Sequence, residues 1–205
     1  MPYNLSPSTL KRFVSLFLFA LCCILTGCAN MYVDNGTREV PIAQYKKPVE
    51  PKPVQLLFEF QTKGTFNSRA TNHLKDQVIE QVKTSGLFSV VDDKAVANGA
   101  LLSITLNNVP VNDDAFSKGF VTGLTFGLAG SQVSDGYVCT VTYIKPQQPD
   151  AIVKLARHAI HTTIGASAAP SNGTKAENPE AAVRTMTRQV LSTAINALSQ
   201  DPNFK

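Results

Sequence analysis

The stretch Val54-Gln55-Leu56-Leu57-Phe58-Glu59-Phe60-Gln61-Thr62 indicates how the fold of this chain is built. Large apolar side chains occupy every second position, and most of the positions between them are polar. A period of two predicts a strand that buries one of its faces. Such a face needs a second layer of structure to cover it, and the segments on the C-terminal side supply one.

Two helices are predicted to form that layer. In the first, apolar residues recur at helical spacing, with Asn67 or Ser68 placed to cap the N-terminus and Gly86 placed to end the helix. These apolar residues are Ala70, Leu74, Val78 and Val82. The second helix begins at Asn178 as N-cap with Pro179 in the first turn, and ends near Asp201-Pro202.

Four further strands are predicted, at residues 87–91, 100–111, 137–144 and 152–164. The inward face of the third is expected to carry Tyr137, Cys139, Val141 and Tyr143. Residues 165–177 are predicted to be a loop of small residues. The order strand, helix, strand, strand, glycine-rich segment, strand, strand, helix predicts an α+β fold. We expect a two-layer sandwich in residues 54–205, with a mainly antiparallel sheet of about five strands covered by two helices.

The N-terminus carries the features of an export signal. Lys11 and Arg12 precede an uncharged apolar run, residues 13–24, which is shorter than the ~20 residues of a transmembrane helix. The run ends in Leu25-Thr26-Gly27-Cys28, which resembles the lipobox of bacterial lipoproteins. This resemblance implies that residues 1–27 are removed and that Cys28 carries a diacylglycerol and an N-acyl chain, with no other cofactor; an uncleaved anchor is the alternative.

The resemblance also implies a location. Ala29 follows the cysteine where an Asp usually retains a Gram-negative lipoprotein in the inner membrane, so the outer membrane is expected, with the domain facing the periplasm. Residues 28–53 are rich in proline and are predicted to be an extended tether, reaching ~75 Å at ~3.1 Å per residue. Removal of Lys11 and Arg12 would leave 17 of the 19 basic residues and all 15 acidic ones, a net charge of +2. A net charge this small argues against nucleic-acid binding.

Residues 116–136 form an apolar glycine-rich insert. Gly119, Gly123 and Gly127 are spaced by four, and no charged residue occurs between Gly119 and Gly130. Three interpretations remain open: packing on the core of the domain, an assembly or docking surface, and insertion into a membrane as part of an oligomeric pore. The assembly surface would consist of Gly119, Phe120, Gly123, Leu124, Phe126 and Gly127.

No catalytic or metal-binding set of residues is predicted. His158 and His161 are three apart on a predicted strand, which places them on opposite faces and prevents them from sharing a metal ion. No serine lies in a GxSxG turn. Cys139 alternates with apolar residues and is expected to be a small buried core residue.

Residues 54–144 resemble small α+β envelope lipoproteins of bacteria. Gly86-Leu87-Phe88-Ser89-Val90-Val91 is similar to the "G-[YF]-x-V-V" strand of these proteins, although Leu87 stands where an aromatic residue is usual. The group includes surface-exclusion, curli-secretion and penicillin-binding-protein-activator lipoproteins, and the resemblance implies a domain that binds or assembles. We therefore expect a membrane-anchored envelope lipoprotein with a non-catalytic domain that contacts lipid through Cys28 and itself or another envelope protein through residues 116–136. The alternative is a subunit of an oligomeric secretion or export channel that uses residues 116–136 in the membrane.

Overall fold

The computed structural model describes residues 29–110, 132–146, 150–164 and 168–204. Two α-helices lie in this part of the chain, α1 (Ser68–Thr84) and α2 (Pro179–Ser199), together with a 3₁₀ turn at Ile42–Gln44. The strands are β1 (Ala29–Asp34), β2 (Lys52–Thr62), β3 (Thr65–Phe66), β4 (Phe88–Asp92), β5 (Ala100–Pro110), β6 (Gln132–Ile144), β7 (Ala151–Ile164) and β8 (Gly173–Lys175).

All of these strands belong to one mixed sheet, in the order β3-β2-β5-β6-β7-β1-β8, with β4 also paired to β2. The α+β class and the two helices are confirmed, but the predicted count of about five strands is wrong, because β1, β3 and β8 were not anticipated. Strand β2 runs parallel to β4 and β5, while β5, β6, β7, β1 and β8 pair antiparallel. The parallel pairs arise because α1 carries the chain back to the end of the sheet where β2 begins.

Both helices cover the same face of the sheet. The predicted alternation in β2 and β6 is confirmed, with Val54, Leu56, Cys139 and Val141 buried under the helices. The helix ends also follow the sequence signals. Asn67 and Asn178 cap α1 and α2 with their side chains, and Gly86 follows α1 at a φ of +68°, in the left-handed region where glycine is favoured.

The predicted extended tether over residues 28–53 is wrong in the described part of that range. Residues 29–34 form β1 inside the sheet, and the following segment packs along α2. The backbone N–H of Val40 donates to Ser192 Oγ (2.9 Å), the N–H of Lys46 donates to Ser199 Oγ (3.1 Å), and Tyr45 is buried. The prolines permit this path because an extended segment lying on a helix needs no hydrogen bonds of its own to a sheet ladder.

Two other boundaries differ from the sequence prediction. Residues 132–136, assigned to the glycine-rich insert, belong to β6 and pair with β7. The predicted loop at 165–177 contains β8, which pairs with β1. Of the helices in the described ranges, neither is long and apolar enough to cross a membrane.

Candidate functional site

The residues predicted to be functional lie outside the described ranges. This applies to the lipidation residue Cys28 and to all six residues of the predicted assembly surface: Gly119, Phe120, Gly123, Leu124, Phe126 and Gly127. Their roles remain predictions. The described part of the chain contains two other features that bear on function, a buried chain of polar side chains and an uncovered sheet face.

The two histidines of β7 lie on opposite faces of the sheet, as predicted. His158 faces α2, where its Nε2 lies 2.7 Å from Gln189 Oε1, and its Nδ1 accepts from the N–H of Ala159 (2.8 Å). A ring that accepts at Nδ1 carries its proton on Nε2 and is neutral. Burial favours this neutral form and lowers the pKa of His158 below its ordinary value. This effect of burial is larger than that of the hydrogen bonds, which raise the pKa.

On the other face, His161 lies between a carboxylate and a hydroxyl. Its Nε2 is 2.9 Å from Asp34 Oδ2, and its Nδ1 is 2.7 Å from Ser134 Oγ. Asp34 also accepts from the backbone N–H of Gly36 (2.6 Å). This chain of hydrogen bonds therefore joins β1, β7 and β6 and fixes the turn that follows β1. The sequence contains no signal for it, because Asp34 is 127 positions from His161 and only strand pairing brings them together.

The order Ser–His–Asp matches that of a catalytic triad, but the geometry is unsuited to nucleophilic catalysis. In serine hydrolases the serine bonds Nε2 and the aspartate bonds Nδ1, whereas here the two contacts are exchanged. His161 is only 1% exposed and the Asp34 side chain is 0% exposed, so a substrate has no access to the base. The arrangement satisfies buried polar groups and stabilises the position of β1.

Other reactive side chains in the described ranges have structural surroundings. Cys139 is confirmed as a buried core residue, and burial raises the pKa of its thiol to about 12, far above the range that yields a nucleophilic thiolate. Asp93 pairs with Lys75 (2.7 Å), and Asp92 accepts from the backbone N–H of Lys94 (2.9 Å). Across these ranges no group of three or more His, Cys, Asp or Glu residues is placed to hold a metal ion.

On the sheet face opposite the helices, the side chains along β2, β5, β6 and the first half of β7 are partly or largely exposed. Strand register aligns these side chains in four rows, which together we call the outer face. The rows are Gln55, Leu101, Ile144 and Ala151; Leu57, Ser103, Thr142 and Val153; Glu59, Thr105, Thr140 and Leu155; and Gln61, Asn107, Val138 and Arg157.

The outer face combines uncharged polar side chains with half-exposed apolar ones. Its exposed side chains include Leu57 (45%), Val153 (47%) and Leu155 (51%). Charged residues occur only at Glu59, on β2, and Arg157, on β7. Antiparallel sheets with one solvated face usually show polar residues there, so a broad and nearly uncharged face of this kind is typical of a protein-binding surface.

The fold and the outer face define a class: a two-layer α+β domain whose helices cover one face of the sheet and whose other face, among the described residues, is partly exposed along the four rows of the outer face. No protein-family model matches the chain. A search of curated proteins also returns no match.

Solved structures with some similarity include the PelC dodecamer from Paraburkholderia phytofirmans, in two crystal forms. A PelC variant is 14% identical with a TM-score of 0.34, and PelC in the other form is 13% identical with a TM-score of 0.33; in both cases 83% of this chain and 98% of that chain are covered. A candidate lipoprotein from Caulobacter crescentus CB15 is 10% identical with a TM-score of 0.27, covering 69% of this chain and 84% of that chain. These values do not assign the chain to a family.

Proposed function

We propose that this chain is a lipid-anchored lipoprotein of the bacterial envelope whose domain is non-catalytic and binds a second copy of itself through the outer face. The anchor is the predicted lipid on Cys28, in the motif Leu25-Thr26-Gly27-Cys28. The proposal for the domain rests on one observation, the partly exposed and nearly uncharged outer face with half-exposed Leu57, Val153 and Leu155.

A second copy is favoured as the partner because the outer face is complementary to itself. Its three half-exposed apolar side chains, Leu57, Val153 and Leu155, lie in the two middle rows. A two-fold axis parallel to the strands places β2 of one copy against β7 of the other. Leu57 then faces Val153 of the second copy in both directions, as an isologous interface requires.

The expected free energy of this contact determines whether the dimer should be observed in solution or only on a membrane. Full burial of a Val or Leu side chain contributes ~1.5–3 kcal/mol, so the exposed halves of Leu57, Val153 and Leu155 contribute about 1 kcal/mol each, or ~6 kcal/mol for two copies. Association itself costs ~4–15 kcal/mol. The free domain should therefore dimerise weakly, and anchoring in one membrane should favour dimers by raising the effective concentration.

The experiment that tests the outer face is photo-crosslinking in cells that produce the full chain. A photoreactive residue at position 57 or 155 should give an adduct of two copies, while the same residue at Val49, fully exposed and outside the outer face, should give none. Val153→Glu should reduce the adduct, and Cys28→Ser should reduce it because the copies are no longer concentrated on the membrane. If positions 57 and 155 give no adduct, the outer face is not an interface; if they capture only a different protein, self-association is wrong.

The anchor is tested separately. Globomycin, which blocks the lipoprotein signal peptidase, should leave a precursor that retains residues 1–27. Normal processing in its presence would show that Cys28 is not the lipidated first residue of the mature protein.

The alternative function, a subunit of an oligomeric secretion or export channel, has one observation in its favour. β5 ends at Pro110 and β6 begins at Gln132 on the end of the sheet where β1 begins at Ala29, so the intervening chain leaves and re-enters the domain on the side of the anchor. Replacing Gly123 and Gly127 with Val should then abolish assembly, as measured by sizing chromatography in detergent. Unchanged assembly would refute the role of these glycines.

A further inference from the structure

The position of β1 determines how far the domain lies from its anchor. β1 begins at Ala29, the residue that follows Cys28, and pairs with β7 from Ala29 opposite Ile164 to Val33 opposite Ile160. Consecutive Cα atoms are ~3.8 Å apart. The cysteine is therefore one residue away from a strand held on both edges, by β7 and by β8, and no spacer separates them.

At the end of the sheet where β1 begins, β1, β6 and β7 extend beyond β5. Pro110, the last residue of β5, is level with Asp135 on β6 and Ile160 on β7. β7 continues for four residues to Ile164, about 13 Å further at ~3.3 Å per residue. We call the end formed by Ala29, Asn30 and Ile164 the tip. Ile164 is 52% exposed there, although it is a large apolar residue.

We infer that the tip rests on the lipid surface, so that the domain stands on the membrane with β1 and β7 rising from it. This inference rests on the proposed lipidation of Cys28. Acyl chains in the bilayer hold the cysteine at the interface, and one peptide unit then places Ala29 and its paired residue Ile164 against the lipid head groups. The exposed Ile164 side chain is positioned to enter the boundary of the acyl region.

The orientation has two consequences for the rest of the molecule. The opposite end of the sheet, at Ala151, lies about 43 Å from the lipid, because thirteen residues of β7 separate it from Ile164. The outer face is then perpendicular to the membrane surface, since the strands that form it run along the membrane normal. Two copies anchored in one membrane can then meet face to face about an axis normal to the bilayer.

The test measures the depth of single labels on the full lipidated protein. Ile164→Cys and Val49→Cys variants are each labelled with a fluorophore; Cys139 stays unlabelled because it is buried. The proteins are placed in phosphatidylethanolamine–phosphatidylglycerol vesicles that contain a head-group nitroxide quencher. The label at position 164 should lose most of its fluorescence, and the label at Val49, near the far end, should lose none.

A matched control moves the domain away from the lipid. A flexible Gly-Ser insert of about ten residues between Cys28 and Ala29 spans ~18 Å and should remove the quenching at position 164. Mass spectrometry of the mature N-terminus reports lipidation independently. Equal quenching at positions 164 and 49 with an acylated Cys28 would overturn the tip inference alone, whereas an unmodified Cys28 would overturn both the anchor and the inference.

Discussion

Removing the carboxylate of Asp34 should destabilise the domain strongly, because this side chain holds β1 in the sheet. In the Asp34→Ala variant, His161 loses the partner of its Nε2, and the backbone N–H of Gly36 loses its acceptor. Breaking a buried polar pair by removing one partner costs ~3–5 kcal/mol. A domain of this size has a total stability of roughly 5–15 kcal/mol, so the variant should lose a large share of it.

The assay is urea unfolding of residues 29–205 at pH 7, followed by far-ultraviolet circular dichroism. With a slope of about 2 kcal/mol per M, the midpoint of Asp34→Ala should fall by about 1.5–2.5 M. His161→Ala should cost a similar amount, and the double variant should cost at least about 1 kcal/mol less than the sum because the two groups share one interaction. Asp76→Ala, an exposed carboxylate on α1, is the control and should change stability by less than about 0.5 kcal/mol.

Two results would refute this reasoning. One is that Asp34→Ala and Asp76→Ala have the same midpoint. The other is that the costs of Asp34→Ala and His161→Ala add within about 0.5 kcal/mol, which is the behaviour of independent sites. Either result would mean that the hydrogen bond between Asp34 and His161 does not stabilise the native state, and would return residues 29–34 to the role of a loose tether.

Three further predictions follow from buried or capping groups. In a protein of residues 29–205, Cys139 should not react with a thiol reagent while folded, since its thiol is buried and has a pKa of about 12. It should react fully in guanidinium. Reaction of the folded protein would contradict the core position of Cys139. Burial lowers the pKa of His158 below 6.5, so the unfolded chain takes up a proton that the folded chain does not. The free energy of unfolding should therefore fall as the pH drops below 6.5, and it should fall less steeply in His158→Gln. An equally steep fall in the variant would contradict this role of His158. Asn178→Ala removes the acceptor of the Ala181 N–H (2.8 Å) and should lower stability by ~1 kcal/mol and Tm by ~3 °C, whereas Asn203→Ala should leave both unchanged.

Much of the architecture could be predicted from local patterns. The alternation in residues 54–62 and 137–144 identified β2 and β6 and the faces that they bury, because a period of two matches the alternation of side chains along a half-buried strand. The helix ends at Asn67, Gly86 and Asn178 followed from side-chain capping and from backbone freedom at glycine, which also act locally.

The strands that were missed have a common property. β3 and β8 contain two and three residues, and β1 contains six, so none is long enough to show a clear period. β1 and β8 are stabilised by pairing with distant segments: β1 pairs with β7, more than 120 residues away in sequence, and β8 pairs with β1. Proline-rich sequence around residues 41–53 then favoured a tether, although Tyr45 and Lys46 lie against α2 and Lys52 and Pro53 belong to β2.

By itself, the sequence determined where the two helices and the longer strands β2, β5, β6 and β7 form, and which side of β2 and β6 is apolar. These properties depend on neighbours within a few residues. Only the tertiary structure decided that β1 joins the sheet directly after Cys28, that Asp34, His161 and Ser134 meet, and that the half-exposed Leu57, Val153 and Leu155 share one face of the sheet. The physical reason is that strand pairing joins residues regardless of their distance along the chain, and its register is set by the sheet as a whole.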